Sequence, residues 1–353
     1  MTITLEQLEL DPHPALAQIR PIAWVPALKG WLVTGRELAL QVMRDDETFT
    51  VDDPRFSTGR VVGPSMLTRD GAEHARHRDP FAAPLRLAAV REGFTHLVEV
   101  EVDALIDAFE DDGRAELRRA LAGPLAARVV ARLLGLDGAE TSTMLGWYDA
   151  IVDSVTGVAA GKPPSEEGAA AFEHLRATVE PQLESARDLS PAEVVSNAAV
   201  MMFGGIETTE GMIANFVWHL LAFDSRPTPN ALEESLRLEP AAAVVDRYAT
   251  RDVVLDGAEI RAGDFVEISL AGANRDPAYF PDPDRFDPER ENAKHHVAFA
   301  HGPHVCVGMH LARLEALTAA TRLFDRLPRL RLDGTTAPRG LVFRKPPRLD
   351  VAW

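Results

Sequence analysis

The sequence predicts a mainly α-helical fold with a few small β-sheets, and three observations predict it. Leucine, alanine, arginine and glutamate abound, and strand formers are confined to short stretches. Apolar residues recur at helical spacing near 95–111, 115–136, 140–156, 167–187 and 307–327. The clear strand signals are two short hairpins.

Residues 22–26 and 31–34 flank Ala27–Gly30 and read as the first hairpin. The helical windows follow. Residues 191–222 are apolar nearly all round, so they predict a buried central helix. A helix is expected over 230–238, with Asn230 as N-cap, Glu233 completing a capping box and Pro240 as its stop. Val253–Leu255 and Ala258–Ile260 flank Asp256-Gly257 and predict the second hairpin. Residues 276–290, rich in Pro and Asp, read as an irregular loop. No linker, repeat or low-complexity tract interrupts the chain, so residues 1–353 are expected to form a single domain.

Hydrophobic residues make up 46% and charged residues 26%, a globular composition. The net charge of −17 argues against a nucleic-acid partner, because a phosphate backbone would be repelled. The N-terminus has no basic start, apolar core or small-residue cleavage site, so it does not read as a signal peptide. Asn197, Glu207, Thr208, Thr209 and Glu210 interrupt the apolar stretch near 195–222, which argues against a membrane span. The expected location is cytoplasmic. Cys306 is the only cysteine, which excludes an internal disulfide and any multi-cysteine metal site.

Phe299 to Gly308 is the strongest chemical candidate. Cys306 lies in a loop with Gly302, Pro303 and Gly308, just before a helix. A helix N-terminus stabilises a thiolate and lowers its pKa. Glycines let a flat cofactor approach the backbone. Two other readings stand beside this one. Cys306 can be a small buried hydrophobe. His301, His304, Cys306, Met309 and His310 can form a copper site, although such sites favour β-sandwich scaffolds.

The central helix carries Gly204-Gly205-Ile206-Glu207-Thr208-Thr209. Each mid-helix glycine costs about 1 kcal/mol relative to alanine, and a buried carboxylate costs more unless paired. Either the glycines serve tight packing and Glu207 reaches solvent, or the helix opens locally beside an acid and an alcohol that relay protons. Glu234 and Arg237 stand at i and i+3, and His74 and Arg78 share a helical face. Arg247 follows an apolar run, Ala241–Val245.

Together these motifs resemble the cytochrome P450 family of the soluble bacterial type, from about residue 11 to the C-terminus. Glu207-Thr208 matches its acid–alcohol pair, Glu234 and Arg237 its Glu-x-x-Arg, Arg285 the arginine that locks that pair, and Phe299 to Gly308 its cysteine loop. The resemblance implies haem b (iron protoporphyrin IX) with Cys306 as the iron ligand. It places His74, Arg78, Arg247 and His304 at the propionates, and Gly204, Phe299 and Gly308 against the cofactor. Thr208 would hydrogen-bond dioxygen and Glu207 would help deliver protons. Glu234, Arg237 and Arg285 would hold the cysteine loop.

The activity implied is a monooxygenase acting on a small organic substrate, with O2 and electrons from a ferredoxin and ferredoxin reductase. Natural-product tailoring follows by family analogy. The pocket is expected from the 58–68 loop, Gly204–Gly205, Ala241–Val245 and Val342–Phe343. A haem protein without turnover, such as a scaffold or ligand sensor, is the alternative, and the intact Glu207-Thr208 pair argues against it. Three departures stand out. Ala300 occupies a position where the family usually has glycine. The segments near 185–192 and 223–230 are short, so peripheral helices are expected to be reduced.

Overall fold

A computed structural model describes residues 3–19, 21–136, 140–159, 162–179 and 188–353. Helices α1 (Leu5–Leu10) and α2 (His13–Leu16) precede the hairpin β1 (Ile22–Val25) and β2 (Gly30–Val33). Next come α3 (Arg36–Arg44), β3 (Phe49–Thr50), α4 (Ser57–Val62), α5 (Gly71–Ala82), α6 (Leu87–Asp107) and β4 (Arg114–Glu116). A π-helical turn, Arg118–Ala122, leads into α7 (Gly123–Leu133), followed by α8 (Thr141–Ala159) and α9 (Glu166–Val179). The central α10 (Pro191–Ala222) is followed by α11 (Pro229–Leu238). The chain then forms β5 (Val244–Ala249), β6 (Val253–Leu255), β7 (Ala258–Ile260) and β8 (Phe265–Ser269). It ends in α12 (Leu270–Ala273), α13 (Met309–Arg326), β9 (Arg331–Leu332) and β10 (Asp350–Ala352).

The fold is mainly helical, as expected. α10, 32 residues long, spans about 48 Å at 1.5 Å per residue. Ser190 begins it through a capping box with Glu193, and Pro191 stands at the first turn, where its missing N–H costs nothing. α10 packs on α7, α8, α9, α11 and α13, so its apolar girth is buried on every side. None of the described helices is long and apolar enough to cross a membrane.

The strands form a five-stranded sheet in the order β1-β2-β8-β5-β3, a three-stranded sheet β4-β10-β9, and the β6-β7 hairpin. Both hairpins appear where the sequence placed them. Asp256 and Gly257 take φ of 48° and 81°, as a type I′ turn requires. Two local expectations are corrected. Thr228, not Asn230, caps α11, accepting from the N–H of Ala231. Glu233 completes no capping box, because its carboxylate is drawn to His296 and Arg313. The 223–228 link from α10 to α11 contains no helix. The expected short segment near 185–192, and the end of the 167–187 helix, fall partly on residues 180–187, outside the described residues.

Candidate functional site

The loop before α13 is fixed from several sides. Gly302, at φ 75°, lies so close to the Met43 carbonyl that a Cβ could not be accommodated. The N–H of Cys306 donates to the Phe299 carbonyl at 2.8 Å, and the N–H of Val297 donates to Asn274 Oδ1 at 2.6 Å. Arg78 reaches over from α5 and donates to the Val305 carbonyl at 2.7 Å. Arg313 lies over the Phe299 ring, 4.4 Å from its centroid, and pairs with Glu233 of α11 at 2.6 Å. Ala300 takes φ 58°, which explains why glycine suits this position better.

The Cys306 side chain is solvent-accessible yet surrounded by protein, as a group on the floor of a hollow would be. Burial pushes its thiol up, and the Gly308 N–H, Arg78 and Arg313 only partly offset this. The Gly308 N–H at the helix start lowers it, as expected of such a position, and desolvation opposes that effect. Gly308 has open space where a Cβ would lie.

Buried cationic and imidazole groups gather beside the loop. His74 of α5 packs against His304, with ring centroids 4.3 Å apart and the planes tilted by 42°. Its Nε2 is buried without a partner, and desolvation with the nearby cations lowers its pKa to about 4. Arg247 of β5 is 3% exposed. Its Nη1 donates to the Asp246 carbonyl, but its Nε has no partner, and burial lowers its pKa. His304 donates through Nε2 to the Asp70 carboxylate at 2.7 Å. Burial alone would raise Asp70, but His304 and Thr50 more than offset it and hold its carboxyl at about 2. Orphaned buried donors are costly, and these suit an anionic ligand such as the carboxylates of haem.

Farther from the loop, Glu234 and Arg237 of α11 are fully buried and paired through two bonds of 2.7 and 2.8 Å. Arg237 also donates to the carbonyls of Asn274, Pro283 and Arg285. The expected lock, Arg285, is corrected, because its side chain is 70% exposed and only its carbonyl joins the cluster. Arg290 takes that place, donating to Glu234 at 3.0 Å and to the carbonyls of Pro281, Asp282 and Arg285.

On α10, Gly204 faces open space, whereas a Cβ on Gly205 would meet Val130 of α7 at 2.6 Å. Only the first glycine can line a cleft, and the second permits helix packing. The Thr208 hydroxyl donates to the Gly204 carbonyl at 2.5 Å. Glu207 does not reach solvent. It is 6% exposed and pairs with Lys345 at 2.8 Å. The pocket wall expected as a 58–68 loop begins as helix α4, and Phe203 of α10 meets Phe343 edge-on at 5.4 Å.

Comparison with known proteins sets these features in a family. The cytochrome P450 family model matches residues 227–335. The chain is 34% identical over 374 residues to the cytochrome P450 monooxygenase PikC of Streptomyces venezuelae, covering 96% of this chain and 89% of that protein. The chain belongs to the cytochrome P450 family.

Two solved structures agree in fold. P450BioI, crystallised with an acyl carrier protein bearing hexadec-9Z-enoic acid, is 26% identical, with a TM-score of 0.87 over 99% of this chain and 100% of that one. HmtN, a post-tailoring hydroxylase of himastatin biosynthesis, is 27% identical, with a TM-score of 0.83 over 97% of each chain. The chain is a cytochrome P450 monooxygenase, and the family's cofactor is haem with a thiolate-bound iron. The copper reading is overturned. Among the described residues, the one cluster of three or more His, Cys, Asp or Glu with converging ligand atoms is Glu73, His77 and Glu193, away from Cys306. Arg76 already neutralises it through Glu73 and Glu193.

Sequence reasoning missed Lys345, Asp70 and Arg290. Arg290 had a local signal, since it lies five residues beyond the arginine chosen. Lys345 and Asp70 had none, because their partners are 138 and 234 positions away along the chain.

Proposed function

We propose that this cytochrome P450 oxidises a small organic molecule in a natural-product tailoring step, with electrons from a ferredoxin and its reductase, and that residues 1–353 act as one domain. The observation that carries the reading is the solvent-accessible Cys306 side chain beside buried, partnerless His74 Nε2 and Arg247 Nε. Bound there, haem supplies oxygen activation at an iron held by thiolate.

Cys306 would be the iron ligand. His74, Arg78, Arg247 and His304 would hold the propionates, with Arg78 also fixing the Val305 carbonyl. Gly204, Phe299 and Gly308 would border the macrocycle. Thr208 and Glu207 would be catalytic: the Thr208 hydroxyl, which rests against the Gly204 carbonyl, would hydrogen-bond dioxygen, and Glu207, paired with Lys345, would help deliver protons. Phe203 and Phe343 give the cleft an apolar wall suited to a hydrophobic substrate. The tailoring role is supported by the likeness to HmtN, a post-tailoring hydroxylase.

Reduction under carbon monoxide tests the thiolate assignment. A strongly red-shifted Soret band, lost in Cys306→Ala, is expected. A haem spectrum without that shift in folded protein would overturn it. A ligand library screened by the haem spin-state shift then identifies the substrate class.

A further inference from the structure

Glu207 and Glu210 lie about one turn apart on α10, and both are buried. The Lys345 ammonium sits between them, 2.8 Å from Glu207 and 2.9 Å from Glu210. Glu210 has a second cation, Arg118 of the π-helical turn, at 2.8 Å. Arg118 is anchored in turn on the carbonyls of Pro346 and Pro347, next to Lys345. Burial pushes Glu210 up, but Lys345 and Arg118 together hold its carboxyl below the ordinary value. Glu210 is thus neutralised twice, whereas the ion pair formed by Glu207 is with Lys345. Asp149 of α8 also faces this cluster, and burial raises its carboxyl despite the attraction of Arg119 and Lys345.

Lys345 belongs to a segment packed against α10. Phe343, two residues earlier, meets Phe203 of α10 and bridges to Ala242. Arg344 is clamped by Glu239, and its N–H donates to the Ala241 carbonyl at 2.8 Å. The Lys345 Cβ would lie 3.7 Å from a Cβ on Gly211 of α10. Its backbone is therefore held against the central helix, and its flexible stem is the part free to move.

We infer that Lys345 is a positioning residue for Glu207, setting where that carboxylate stands between the rear network and the Thr208 side of the helix. The inference rests on the reading of Glu207 as a proton carrier. Without Lys345, Glu207 faces Glu210 with no cation of its own and loses its place, so the protons it carries arrive late. Lys345 touches no reacting atom and acts through Glu207 alone.

The test needs no substrate. Haem-loaded protein is supplied with electrons from a plant ferredoxin and its reductase, and electrons, O2 consumed and hydrogen peroxide formed are counted together. Reduction of O2 to peroxide consumes two electrons and two protons, and reduction to two waters consumes four of each. Slow proton delivery therefore shows as a lower water-forming share. A positioned proton-transfer group contributes about 10²–10⁴-fold, so E207Q and K345M should each lower that share by about tenfold or more. K345R should restore most of it. The double variant K345M/E207Q should be no worse than E207Q alone, because both act at one step. Haem-free protein gives a second readout: the losses in Tm from K345M and E207Q should be non-additive by the same cycle. Should K345M not fold, K345Q, which keeps a donor for Glu210, takes its place. If E207Q leaves the water-forming share unchanged, Glu207 carries no protons and both readings fall. If E207Q lowers it while K345M is silent, or adds fully to E207Q, the inference about Lys345 is overturned and the role of Glu207 stands.

Discussion

Arg290→Ala should destabilise the protein far more than Arg285→Ala. The Arg290 side chain is 8% exposed and donates to Glu234 at 3.0 Å, to the Pro281 carbonyl at 2.7 Å, and to the carbonyls of Asp282 and Arg285 at 3.1 and 3.2 Å. Glu234 itself is fully buried, so truncation leaves it short of one cation and strands the Pro281 carbonyl, whereas the Asp282 and Arg285 carbonyls keep the Arg285 N–H and Arg237. Removing one partner of a buried pair costs about 3–5 kcal/mol. Glu234 keeps Arg237 and the N–H of Asp287, which places the loss toward the lower end. An unfolding entropy of about 2.1 cal/mol/K per residue over 353 residues gives about 0.7 kcal/mol/K, so a loss of about 3–4 kcal/mol should lower Tm by about 4–5 °C. Arg285, exposed and 3.9 Å from Asp287, should cost at most about 0.5 kcal/mol, or less than 1 °C. Thermal unfolding followed by far-UV circular dichroism measures both. Equal losses, or a larger loss for Arg285→Ala, would refute the assignment of Arg290 as the locking arginine.

Ala300→Gly should stabilise by about 0.5 kcal/mol, since a left-handed alanine costs about 1–2 kcal/mol and glycine entropy returns part of it; denaturant unfolding reads the difference. Gly205→Ala should cost about 1–3 kcal/mol, because the new methyl meets Val130 of α7 at 2.6 Å; an unchanged midpoint would show that α7 and α10 separate freely. Asp246 and Glu267 stand directly opposite on β5 and β8, and burial raises both carboxyls, with Arg247 opposing it for Asp246 and Asp246 adding to it for Glu267. Raised acids bind more protons folded than unfolded, so their contribution is full below the ordinary carboxylate range near pH ~4 and is lost as pH rises through their folded values. Stability should therefore decline from mildly acidic toward alkaline pH, and Glu267→Gln should flatten that decline; an unchanged slope would refute the burial argument.

The fold was legible where one local cause dominates. The apolar girth of 191–222, the Asp256-Gly257 turn and the proline-bounded helix before Pro240 each depend on residues within a few positions, and all three appear. The bend of the cysteine loop was legible for a related reason, since Gly302 marks it with a left-handed backbone, although the Met43 carbonyl that requires glycine there is distant along the chain. The rest depends on partners distant along the chain. Nothing near Glu207 signals that Lys345, 138 residues on, neutralises it, and a buried carboxylate with an unseen partner looks like one reaching for solvent. Asn230 has the side chain of a helix cap, but the carbonyls of Pro288 and Arg290 compete for it and Thr228 begins the helix instead. Arg285 and Arg290 are alike in chemistry and differ only in which way the loop turns them, so motif spacing could not choose between them. At Cys306 a local effect meets a distant one. A helix start acts locally and can be read, whereas desolvation sums over every element around the hollow. Residues whose role is set by burial are thus the ones a sequence hides, and His74 and Arg247 show its use. Their side chains could have been ordinary surface charges, and only their burial with partnerless nitrogens supports the proposal that they bind an anion.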